Sequence, residues 1–74
     1  MAQNLMAPAT SVAGQLGERC DRCGALAKVY VRLNEGRGDL AFCGHHANRF
    51  SDRIVSAAAS VVVQAGFQWR GADA

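Results

Sequence analysis

Residues 20–46 read CDRCGALAKVYVRLNEGRGDLAFCGHH, and the two ends of this stretch decide the fold. Cys20-Asp21-Arg22-Cys23-Gly24 is a Cys-x-x-Cys-Gly knuckle, and Cys43-Gly44-His45-His46 supplies Cys-x-x-His after nineteen intervening residues. Two short-spaced pairs separated by a hairpin-length segment are the usual layout of a four-coordinate zinc site. Two residues between ligands let the backbone curl until both sulfurs reach one ion at about 2.3 Å, and amides after each Cys can donate to the thiolates. Gly24 suits that curl because it tolerates positive φ. Cys43 to His46 repeats the three-residue step, whereas His45 points about a hundred degrees away on a helix. The reading therefore favours Cys20, Cys23, Cys43 and His46 as ligands of one structural Zn2+ per chain, with His45 as the alternative fourth ligand. Reduced, buried thiols would leave the histidine spacing unexplained, and a redox Cys20/Cys23 pair of thioredoxin type lacks its βαβ context.

Between the pairs the pattern is that of a hairpin. Val29, Val31 and Leu33 alternate with Lys28, Tyr30 and Arg32, the period of a half-buried strand. Asn34-Glu35-Gly36-Arg37-Gly38-Asp39 permits positive φ, and Leu40-Ala41-Phe42 alternates again. After Cys43 the period lengthens: Ala47, Phe50, Ile54, Ala57, Ala58, Val61 and Ala65 recur at helical steps opposite Arg49, Asp52, Arg53, Ser56 and Ser60. This predicts one amphipathic helix from about 45 to 65, stopped by Gly66. The β-branched run Val61-Val62-Val63 argues for a rival in which the helix ends near Ala59 and residues 61–69 form a small hairpin turning at Ala65-Gly66. Residues 1–17, uncharged and without an apolar period, read as a flexible, disordered N-terminal arm, the alternative being an arm that drapes over a partner through Leu5, Met6 and Leu16. Residues 18–70 then form a single zinc-binding domain, with a disordered tail at 71–74. The fold class is a small α+β zinc-stabilised domain, treble-clef-like in the order knuckle, hairpin, helix.

The motifs CDRCGA (20–25) and FCGHHA (42–47) resemble a family of small uncharacterised zinc-finger-like proteins from actinobacteria and their phages. The resemblance covers about residues 18–50. It implies Cys20, Cys23, Cys43 and a histidine of the pair as metal ligands, and life in the cytoplasm of such a bacterium, or of the host if the chain is phage-encoded. It carries no activity with it.

Length and charge narrow the functions. Seventy-four residues with three Cys allow one thin core that needs a staple, and an odd Cys count speaks for a reducing cytoplasm rather than a disulfide scaffold. No stretch approaches the roughly 18 apolar residues of a membrane span. Four protein ligands close a zinc site, so the expectation is not an enzyme and no small-molecule substrate. The leading reading is an interaction module, a small regulatory or adaptor protein binding a protein partner or forming a homodimer. Val62, Val63, Phe67 and Trp69 are hard to bury in so small a domain and are the candidate contacts. Equally open is that Phe67 and Trp69 fold back and close a monomeric core. The alternative is a nucleic-acid-binding zinc finger regulating transcription or translation, using Arg22, Arg32, Arg49 and Arg53, together with Arg19 and Tyr30. Charge counts against it: the formal +2 falls by one when three thiolates bind a divalent ion, and acids are interspersed among the arginines.

Overall fold

A computed structural model describes residues 8–73. The chain forms a four-stranded sheet in the order β1-β4-β2-β3, covered on one face by two short helices. The strands are β1 (Ala9–Ala13), β2 (Val29–Leu33), β3 (Asp39–Phe42) and β4 (Ala58–Gln64), and the helices are α1 (Gly44–Arg49) and α2 (Ser51–Ala57).

The expected hairpin is present. β2 pairs antiparallel with β3, Val29 opposite Phe42 and Val31 opposite Leu40, so the alternating apolar residues share the inner face. The connection turns through Asn34–Gly36, where Glu35 and Gly36 both take positive φ.

The helix expected over 45–65 is instead two short helices and a strand. Phe50, at φ −104 and ψ 21, leaves helical geometry between α1 and α2, and Ala58 turns extended at φ −88 and ψ 138. From there the β-branched residues find neighbours on both sides: Val61 and Val63 lie opposite Val31 and Val29 of β2, while Thr10 and Val12 of β1 run parallel on the other edge. Cross-strand packing on two sides outweighs a helical period made largely of alanines. The rival reading placed the helix end and the Ala65-Gly66 turn well, and Gly66 takes φ 89 there. No second hairpin strand follows the turn. Residues 67–69 instead cross back to the helices.

Two further departures concern the ends. Ala9–Ala13, expected within a flexible arm, form β1, and Ala65 N–H donates to Ala13 O at 2.7 Å where the strand leaves the sheet. Its side chains are almost all exposed, so backbone pairing holds the strand and no apolar pattern marks it. Leu5 and Met6, the alternative partner contacts of the arm, lie outside the described residues, and Leu16 is half-buried. Residues 71–73, expected within a disordered tail at 71–74, belong to a 3-10 turn, Arg70–Asp73, with Ala72 N–H donating to Trp69 O.

The core sits between the sheet and the helices. Val29, Val31 and Val61 are fully buried, joined by Phe42, Ala47, Ile54, Ala58, Val63 and Trp69. Trp69 and Val63, expected as partner contacts, are therefore core. The Trp69 indole N–H donates to Ala47 O at 2.9 Å, which satisfies its one polar group inside an apolar site. Phe67 packs partly buried against the core, so the reading in which both aromatics fold back describes this chain. Val62 is half-buried on the uncovered face, opposite Tyr30.

Candidate metal centre

The knuckle is built by backbone hydrogen bonds before any metal is considered. Cys20 N–H donates to Ala25 O at 2.7 Å, and Gly24 N–H to Cys20 O at 2.9 Å. The chain thereby reverses within five residues, and Gly24 takes φ 82 at the bend. Arg22 N–H points at Cys20 Sγ, 3.4 Å away, an amide aimed at a thiolate. The knuckle is docked on β3 by a reciprocal pair: Asp21 N–H donates to Ala41 O at 2.9 Å, and Ala41 N–H to Asp21 Oδ2 at 2.8 Å. Asp21 is thus a clamp between knuckle and sheet, a role that the sequence reading missed. An Asp inside the x-x of a knuckle is its only sequence signal.

The second half of the site is the start of α1. Cys43 is the N-cap residue with extended backbone, and Ala47 N–H donates to Cys43 O at 2.8 Å, so Cys43 and His46 stand one step apart on the first turn. Gly44 lets the Phe67 ring approach closely: a Cβ there would sit 2.8 Å from that ring, which would have to move aside.

The ligand atoms of Cys20, Cys23, Cys43 and His46 all lie within 4.8 Å of one another. Cys23 Sγ is 3.7 Å from Cys43 Sγ, and His46 Nδ1 is 3.6 Å from Cys20 Sγ and 3.4 Å from Cys43 Sγ. A tetrahedral ion with S at about 2.3 Å and N at about 2.0–2.1 Å sets its ligands about 3.8 Å (S to S) and about 3.6 Å (S to N) apart, close to these three separations. The residues fit one metal ion. His45 is exposed, its ring edge-on to His46 with centroids 5.0 Å apart, and it is outside the cluster.

The surroundings prepare the thiols unequally. Burial pushes the Cys20 thiol up, but the amides of Cys43, Arg22 and Cys23 and the His46 ring bring it down to about 6. At Cys23 the Ala25 amide lowers the value, yet burial and the neighbouring Cys43 and Cys20 sulfurs leave it above the ordinary thiol range. A second feature that the sequence reading missed lies alongside. The Phe50 ring stacks on His46 (centroids 5.9 Å, planes 7° apart) and carries the guanidinium groups of Arg22 at 4.9 Å and Arg49 at 5.9 Å.

The four arginines expected as a nucleic-acid surface do not gather in one place. Arg22 and Arg49 meet at Phe50, and Arg53 follows on α2. Arg32 stands on the uncovered face of the sheet, 3.9 Å from Asp39. Tyr30 also donates to Asp39, and that carboxylate lifts its phenol above the ordinary value. No helix among the described residues is long and apolar enough to cross a membrane.

Residues 14–68 match the family model described as Domain of unknown function (DUF7455), and the chain belongs to that family. No curated protein and no solved structure matches it.

Proposed function

We propose that this member of the family is a structural-zinc interaction module, in which one Zn2+ held by Cys20, Cys23, Cys43 and His46 fixes a treble-clef-like core of knuckle, β2–β3 hairpin and α1. The observation that carries the reading is the convergence of four protein ligand atoms within 4.8 Å. Three sulfurs and one imidazole suit zinc above the harder divalent ions, and four protein ligands around a tetrahedral ion leave no coordination position for a substrate. The ion's contribution is to hold the knuckle, β3 and α1 together, so the chain is proposed to act as a small regulatory or adaptor protein by presenting surface, not as a catalyst. A bacterial cytoplasm, where thiols stay reduced, is the compartment in which three unpaired cysteines keep such a site intact.

A protein partner is favoured over nucleic acid because Arg32 stands apart on the uncovered face, tied to Asp39. Metal analysis of the purified chain should give one zinc per chain. Affinity capture from bacterial lysate should retain a protein in stoichiometric amount on the metal-bound chain and lose it on Cys43→Ser. Retention of nucleic acid alone, falling steeply with salt, would overturn the protein-partner reading.

A further inference from the structure

We propose that the cleft between the β2–β3 hairpin and α2 is a docking site for an acidic, amphipathic segment of a partner protein. This names the surface and the partner chemistry for the interaction reading above and rests on it. The cleft has a volume of about 350 Å3 and an apolar floor that includes Leu33, Leu40, Phe50 and Ile54. The first three are large apolar side chains that the core covers only in part. A second depression of about 340 Å3, beside Glu35 and Arg37, shares Leu33 and Ala57 with this cleft. Two depressions sharing a wall make an elongated groove, the shape that takes a run of chain rather than a compact small molecule.

Charge selects the partner. Arg22 and Arg53 stand at the mouth of the first cleft, and among the described residues neither makes an ion pair. The acid beside them, Asp21, has one carboxylate oxygen engaged by the Ala41 amide. Arg22 is already held over the Phe50 ring at 4.9 Å, so little side-chain freedom is lost when a carboxylate reaches it. At the far end Arg37 lies 3.7 Å from Glu35, so the unmatched positive charge is confined to the end next to the knuckle. A segment that inserts leucine or aromatic side chains along the floor and offers carboxylates to Arg22 and Arg53 satisfies both features.

The test is selection of a displayed random dodecapeptide library on the metal-bound full chain. Enriched sequences should carry Asp or Glu beside Leu, Phe or Trp. Their synthetic peptides should shift the amides of Leu33, Leu40 and Ile54, and should bind at least about tenfold more weakly to Arg53→Glu, an exposed site where the fold is kept, and at raised salt. Leu40→Asp should abolish binding. The proposal is overturned if no sequence is enriched, if enriched sequences are neutral or basic, or if Arg53→Glu binds them unchanged. It is also overturned if the cleft amides shift with chain concentration alone, which would assign the groove to a second copy, or if only an oligonucleotide shifts them. Peptides that shift Tyr30 and Val62 instead would remove the groove and leave the interaction reading standing on the uncovered sheet face.

Discussion

His45 and His46 are neighbours with opposite fates, decided by one step of helix. The turn that begins at Cys43 carries His46 Nδ1 to within 3.6 Å of two sulfurs and leaves His45 exposed. His46→Ala should therefore weaken metal binding by more than the roughly 10–100-fold typical of a lost outer-shell partner, and His45→Ala should bind as the parent does. Competition with a chromophoric chelator measures both, and the reverse order would contradict the geometry. Asp21 is a second residue whose worth is readable. Ala41 is 3% exposed, so Asp21→Ala leaves its N–H buried without a partner, at a cost of about 1–3 kcal/mol. The denaturant midpoint of the metal-bound protein should fall accordingly while the metal content stays at one. The Cys20 thiol is prepared for its charged form even without metal. Its value in the fold, about 6, lies below the ordinary 9.0, so the stabilisation linked to its thiolate is present above pH 9, and is lost as pH falls through 6. Because protons compete with the ion for the thiolates, acid titration should release metal and unfold the chain together. A chain that sheds its metal in acid and keeps its amide protection would break that linkage.

At the scale of elements, legibility followed the kind of force that holds each one. The metal ligands and the β2–β3 hairpin are legible because spacing and alternation are local and chemical: Cys-x-x-Cys, Cys-x-x-His and Val29/Val31/Leu33 state their geometry in the chain itself. β4 was obscured because Ala57, Ala58, Val61 and Ala65 happen to fit a helical step, while the neighbours that make it a strand lie on β1 and β2, far away in sequence. β1 was invisible for a different reason. Its residues are held by ladder hydrogen bonds with side chains largely outside, so neither burial nor charge betrays them, and Val12 remains 70% exposed. That difference is measurable. Amides of Ala9–Ala13 should exchange with solvent well before those of Val29 and Val31, which lie between two paired strands over the buried core. Equal protection across all four strands would show that β1 is part of the cooperative unit rather than a strand added at its edge.

At the scale of the whole molecule, the candidate metal site and the core are joined. Cys20 and Cys43 belong to the same buried cluster as Val29, Val31, Val61 and Trp69, and α1, which starts at Cys43, supplies the Ala47 carbonyl that receives the Trp69 indole. The C-terminal segment is anchored there a second time, since Arg70 N–H donates to Asn48 Oδ1 at 2.7 Å. On the zinc reading proposed above, releasing the ion would loosen the knuckle and the first turn of α1 together, and with them the surface on which Trp69 rests. A structural zinc contributes about 10–16 kcal/mol of apparent binding free energy, against a total stability of about 5–15 kcal/mol for an ordinary domain, so its removal would take a fold of this size past its margin. Trp69 is the sole tryptophan and is 3% exposed, which makes it the reporter of that event. Adding a strong chelator to the metal-bound chain should shift its emission to the red and erase the amide protection of β2 and β4 in one transition, and restoring zinc should reverse both. Trp69→Ala should by the same connection cost about 3–5 kcal/mol even with metal present, because it empties the space between α1 and the sheet. If the metal is removed quantitatively and the emission of Trp69 stays blue, the sheet stands on its apolar contacts alone and the ion is an ornament on an already stable core.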